Sequence, residues 1–161
     1  MNCVDVVIET PKGSAQKYDY DEDTHFFKLK KILPSGMVFP YDFGFIPDTR
    51  GQDGDPLDVI VISEFNSFPG CLMKCRIIGG IKAEQSKEKG KKQKIRNDRF
   101  LAVPDCSNIF EKVKTMSDLP GDITTQLEQF FTDYNKMEGK EFKALKKMEA
   151  KEAKKLITNK N

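Results

Sequence analysis

Three carboxylates stand within six residues at Asp53-Gly54-Asp55-Pro56-Leu57-Asp58. Like charges a few Å apart repel, so such crowding points to a compensating multivalent cation. Hard ions, Mg2+ foremost, take oxygen ligands and favour carboxylates together with water. Gly54 lets the backbone turn sharply, and Pro56 fixes φ between the second and third acids. A solvated Asp-Gly turn is the plain alternative. An EF-hand loop is the sharper one, since Asp53, Asp55 and Glu64 fall at its first, third and twelfth positions. It fails because the fifth position is Leu57 and the sixth Asp58, where an oxygen ligand and a glycine are required.

The run Leu57-Asp58-Val59-Ile60-Val61-Ile62 reads as a buried β-strand that would hold the acids on a rigid edge. Cys3 to Glu9, rich in β-branched residues, predicts another strand. Lys17 to Tyr20 and Phe26 to Leu29 predict a short hairpin around the acidic turn Asp21 to Asp23. Pro34 to Pro56, dense in Pro, Gly and Asp, predicts a loop-dominated stretch lining a site. Further strands are predicted at Leu57 to Ser63, Leu72 to Ile78 and Arg99 to Val103, with Lys82 to Asn97 as a polar excursion between the last two. Asp118 to Asp122 is a helix start, and Ile123, Leu127, Phe130, Phe131, Tyr134 and Met137 follow at helical spacing as a core-packing stripe. From Lys140 the Lys/Glu/Ala-rich sequence, anchored by Phe142, Leu145, Met148 and Leu156, predicts a second, largely exposed helix. Short strands followed by helices give an α+β domain whose strand count suits a small barrel.

At 161 residues the chain makes one domain, 1–161, with barrel and loops over about 3–104 and a helical part over about 118–158. Hydrophobic residues are 38% and charged residues 32%, and no apolar run reaches the length of a membrane span. Met1 to Glu9 contains acids and no basic region, so no signal peptide is read there and the cytoplasm is the expected location. Cys3, Cys71, Cys75 and Cys106 form no Cys-x-x-Cys pair, and the single His25 completes no zinc-finger pattern. Buried, reduced thiols are expected, with Cys71 and Cys75 facing one side of a strand. The isolation of His25 also argues against a Ser/His or Cys/His nucleophile.

The net charge of +2 hides an uneven distribution. Lys82 to Arg99 carries eight basic residues against three acids, and Lys136 to Lys160 nine against four. The remainder, with ten basic and eighteen acidic residues, contains the Asp53–Asp58 cluster. Acids that recruit cations, near bases that hold an anion, suit a metal–phosphate chemistry. The basic run Lys82 to Arg99 holds no aromatic residue and so lacks a stacking platform for nucleic acid.

Asp-Gly-Asp-Pro-Leu-Asp followed by Val59 resembles the signature of the soluble family I inorganic pyrophosphatases, here in a divergent form. The surroundings agree in order and spacing from about Val6 to Met137: Val7-Ile8-Glu9, Lys17-Tyr18, Phe39-Pro40, Gly44-Phe45-Ile46, Cys75-Arg76, Leu101-Ala102-Val103-Pro104, and Phe130-Phe131 with Tyr134. The resemblance implies a small closed, highly twisted, OB-like β-barrel with two C-terminal helices packed outside. It also implies hydrolysis of pyrophosphate to two orthophosphates with several Mg2+ ions, Mn2+ or another divalent ion being an alternative. By the same resemblance Asp53 and Asp58 would ligate the ions flanking the attacking water, and Asp55 would be the general base. Glu9 would help hold the substrate's metal, Lys17, Lys31 and Arg99 would neutralise phosphate oxygens, and Tyr134 would donate to the departing phosphate. The partners implied are pyrophosphate and further copies of the chain, a hexamer being favoured over a dimer, with no membrane and no nucleic acid.

The departures from the family pattern are specific. Asp19 stands where glutamate is usual, and Lys31 where arginine is usual, so a bidentate fork becomes a point charge. Phe39 and Phe43 take positions often held by tyrosine, which at Phe43 removes a phosphate contact. Asn135 follows Tyr134 where a lysine is expected, and Lys136 lies ~100° further round the helix. Around Arg99, which takes a lysine's place, Asn97 falls at a metal-binding aspartate position and Asp98 is the adjacent substitute. Glu84 is the acid available for the other metal position, with Gln85 aligning equally well. A phosphohydrolase for another phosphoanhydride, or a weakly active barrel that binds phosphate compounds or nucleic acid, are the alternative readings.

Overall fold

Five strands close into a ring, and every other element is appended to it. The computed structural model describes residues 3–159, so the two residues at each end of the expected 1–161 domain lie outside the described residues. β1 (Val4–Thr10) pairs antiparallel with β4 (Asp42–Ile46), and β4 with β5 (Leu57–Val61). β5 runs parallel to β8 (Arg99–Pro104), which pairs antiparallel with β6 (Leu72–Ser86). The first residues of β6 return to β1, with Val4 opposite Cys75, and this pairing closes the barrel. Closure satisfies both edges of each strand in the ring, which is why five strands suffice. The hairpin of β2 (Gln16–Asp21) and β3 (Phe26–Ile32) stands apart as its own two-stranded sheet.

The apolar run of β5 is buried on both faces, and period-two alternation explains how. Ile60 and Ile62 join a core cluster with Leu127 and Phe131 of α1 (Ile123–Met137). Val59 and Val61 join a second cluster with Ala153 and Ile157 of α2 (Ala150–Thr158). Asp58, at the start of the same strand, is carried by this doubly packed element. No helix among the described residues is long and apolar enough to cross a membrane.

The expected α+β barrel with two C-terminal helices is present, but three segments differ from the sequence reading. Within the predicted loop Pro34 to Pro56 lies β4, whose five residues are all buried. Gly44 is required there, because a Cβ would run into the Val7 carbonyl of the neighbouring strand. The polar excursion after Ile78 is strand: β6 continues to Ser86 and turns back through β7 (Lys94–Arg96). The expected second helix starts at Ala150, and Phe142–Glu149 before it is β9, paired along β6 from Gly79 to Gln85. Of the helical stripe, Leu127 and Phe131 are buried while Met137 is 51% exposed. The four cysteines are free thiols, but only Cys75 is buried; Cys106 is exposed and Cys71 precedes β6.

Candidate active site

The acidic motif forms the partition between a cleft of about 680 Å³ and an adjoining cavity of about 210 Å³. Pro56, Asp58 and Asn97 border both. Into the cleft the fold brings Glu9 from β1, Lys17 from β2, Lys31 from β3, Asp55 and Asp58 from the motif, Arg99 from β8 and Tyr134 from α1. Asp53 and Asp98 line the smaller cavity beside Asp58.

The turn holding the acids is built from the backbone. Gly54 adopts φ 93°, a left-handed conformation that glycine takes without steric cost. The Gly51 N–H donates to the Asp55 carbonyl at 2.7 Å, and the Asp55 N–H donates to Asp53 Oδ1 at 3.2 Å. Arg50 Nη1 donates to the Gly54 carbonyl at 3.0 Å. Thr49 Oγ1 receives the Leu57 N–H at 3.0 Å and donates to the Ile46 carbonyl at 2.6 Å, tying the turn to β4 and β5.

Asp58, Glu9, Asp19 and Asp98 each pair with an internal base. Burial pushes the carboxyls of Asp58 and Asp53 above the usual range, against the pull of the Arg99 guanidinium. Arg99 Nη1 lies 2.5 Å from Asp58 Oδ2 and also donates to the side-chain oxygen of Asn97, while its Nη2 donates to Gln85 Oε1 at 3.1 Å. Its guanidinium is 5.1 Å from the Phe131 ring and 5.8 Å from the Phe43 ring, so it is buried among aromatic faces. Phe43, which has no hydroxyl for phosphate, therefore serves the site as a cation platform, with Lys17 Nζ 4.9 Å from its ring as well. Arg99 Nε is buried without a partner among the described residues, an orphaned donor on a cationic group.

Glu9 accepts the Tyr20 N–H at 2.8 Å and faces Lys17 Nζ at 3.8 Å, yet burial dominates and raises its carboxyl to about 7. Burial also pushes Asp19 upward, but its ion pairs with Lys17 and Lys30 outweigh this and leave it lowered. Lys31 pairs with Glu138, and its Nζ stands 4.0 Å from the centre of the Tyr134 ring. Burial lowers Lys31 and raises the Tyr134 hydroxyl.

One expected position falls elsewhere. Glu84 borders neither cavity; it lies in β6 opposite Arg96 of β7 and Lys143 of β9, while its neighbour Gln85 reaches the cleft. Lys136 is exposed on α1 and lines neither cavity. Asp98 pairs with Arg96 and accepts the Ala83 N–H at 3.1 Å, whereas Asn97 sits where both cavities meet.

Glu138 and Lys140 also line the cleft, and sequence reasoning missed them. Gly139, at φ 68°, reverses the chain past the end of α1, and the Lys140 N–H donates to the Asn135 carbonyl at 2.9 Å. A glycine just beyond a helical stripe is the sequence signal for such a reversal.

Among the described residues no three acidic, histidine or cysteine side chains already converge on a single ion position. The acids instead hold Arg99, Lys17, Lys30 and Arg96. The donor chemistry nevertheless fits a hard divalent ion: Asp53, Asp55, Asp58 and Asp98 offer only oxygen, and burial disfavours the charge of Asp53 and Asp58 unless a cation offsets it.

The family model described as inorganic pyrophosphatase matches residues 6–161. The chain is 37% identical over 137 residues to an inorganic pyrophosphatase of Synechocystis, an alignment covering 85% of this chain and 77% of that one. It is 37% identical over 158 residues to the inorganic pyrophosphatase of Leifsonia xyli, covering 98% and 93%. Among solved structures, the inorganic pyrophosphatase of Thermus thermophilus superposes with a TM-score of 0.89 at 31% identity, covering 98% of this chain and 88% of that one.

Proposed function

The chain belongs to the inorganic pyrophosphatase family and hydrolyses pyrophosphate to orthophosphate, and within that activity we propose that Asp55 is the general base and Mg2+ the metal. The observation that supports this reading best is the placement of the acidic motif between the two cavities, with bases from three strands, β2, β3 and β8, lining the cleft with it.

Asp53, Asp58 and Asp98 are the proposed ligands around the smaller cavity, with Glu9 completing the set from the cleft side. Bound Mg2+ would supply charge neutralisation at the phosphate oxygens and lower the pKa of a coordinated water. Asp55 is solvent-exposed and borders the cleft, so it can take a proton from water and pass it to bulk. Arg99 presents its orphaned Nε–H and a charge that aromatic rings keep from water, which suits it to stabilise developing negative charge. Lys17 and Lys31 hold the two ends of the anion from the β2–β3 hairpin. Tyr134, kept protonated by burial, retains a proton to donate, which fits a hydrogen bond to the departing phosphate. Glu84 is left out of the metal set because it borders neither cavity.

Replacing Asp55 with asparagine keeps the turn and removes the base. Phosphate release from pyrophosphate with Mg2+ is expected to fall by a factor of ~10² to 10⁴ in Asp55→Asn, the usual worth of a positioned base. A variant as fast as the wild type would refute the assignment.

The chain is further proposed to act as a single domain in the cytoplasm and to form a homo-oligomer, a hexamer before a dimer. Phe26, Ile32, Phe68 and Leu72, all more than 60% exposed, support an interface. Sedimentation velocity is expected to show a species several times the 18.4 kDa of one chain, and a monomer at micromolar concentration would reject it.

A further inference from the structure

Among the bases assigned to the phosphates, Lys17 and Arg99 are matched by Glu9 and Asp58, which the proposed mechanism already uses, but Lys31 is matched by Glu138, which it does not use. Glu138 is the C-cap residue of α1. A carboxylate there faces the negative end of the helix dipole, an unfavourable place for an acid on helix grounds alone. What holds it is Lys31, reached across 107 residues of sequence from β3. Their side chains are 26% and 31% exposed, and both border the cleft beside Tyr134. The geometry thus puts an anionic oxygen on the same ammonium that the substrate's phosphate oxygens would seek.

We infer that Glu138 is an internal competitor for pyrophosphate: it occupies Lys31 and thereby sets the affinity of the cleft. The inference rests on the proposed role of Lys31 as a phosphate ligand. Lysine presents one compact charge, so a phosphate that takes Lys31 must draw it from Glu138 or share it, whereas an arginine fork could serve both. Glu138 also repels the arriving anion directly. Each effect weakens binding of a diphosphate, and neither involves the acids assigned to the metal.

The probe is methylenediphosphonate, a diphosphate analogue whose P–C–P bridge cannot be hydrolysed, titrated by calorimetry in the presence of Mg2+. Glu138→Gln keeps the shape and removes the charge. It is expected to bind the probe about fivefold more tightly than the wild type, the size of one partly screened ion pair. The KM for pyrophosphate should fall in parallel. In a Lys31→Gln background the gain from Glu138→Gln should shrink to less than twofold. Equal or weaker binding by Glu138→Gln, or an undiminished gain without Lys31, would overturn the inference and make Glu138 a simple tether. A wild type that neither binds the probe nor releases phosphate would instead overturn the underlying reading of the site.

Discussion

Lys140 shows how one residue's role depends on its neighbour's backbone. Gly139 turns the chain so that Lys140 borders the cleft, while Lys136, closer in sequence to Tyr134, points to solvent. Among the described residues Lys140 has no carboxylate within ion-pairing distance, unlike Lys17, Lys30 and Lys31. Lys140→Gln is therefore expected to raise the KM for pyrophosphate about fivefold, and Lys136→Gln to leave it within about twofold, in steady-state phosphate release. At this scale much of the site could be read directly: the three acids, Glu9, Lys17, Lys31, Arg99 and Tyr134 all reach one of the two cavities. Glu84 and Gln85 could not be separated, because which of two adjacent strand residues faces the cleft depends on the continuation of β6, and nothing local specifies that.

Between elements, the ends of the parallel strands β5 and β8 are coupled by Glu64. Its carboxylate receives Ser107 Oγ at 2.7 Å, the Asn108 N–H at 2.8 Å and the Ile109 N–H at 3.3 Å, which holds it down to about 2. A carboxyl lowered on folding stabilises the fold fully above its unfolded value near 4.5, and this contribution is lost as the pH falls towards 2. Thermal midpoints of wild type and Glu64→Gln, followed by circular dichroism, should differ most at neutral pH and converge between pH 4.5 and 2. The elements that sequence reasoning missed share one cause. Local propensity reads β4 as loop because Pro and Gly surround it, and β9 as helix because it is Lys-, Glu- and Ala-rich. Packing against β1 and β5 makes the first a strand, and pairing along β6 makes the second one. The Leu57 run, by contrast, carries its own signal, being apolar on both faces.

The molecule as a whole sets a concentration of buried acid against a metal it must recruit. Burial disfavours the charged forms of Glu9, Asp53 and Asp58 together, so a divalent ion should stabilise the whole fold and not only the site. At a hundredfold excess over its Kd an ion adds ~2.7 kcal/mol to folding, which for a chain of this size corresponds to ~5–10 °C in Tm. Calorimetric scans with Mg2+ and then with excess EDTA are expected to differ by that amount. β6 has a further consequence for how this molecule comes to exist. It pairs with β1, β7, β8 and β9, so four segments spread from Val4 to Glu149 must land on one strand. Such high contact order makes folding slow, because loop closure comes before its reward. During synthesis the stretch from Gly79 to Gln85 emerges well before β9 and presents an open edge to other nascent chains. The last strand made is thus the one that shields the growing chain from aggregation.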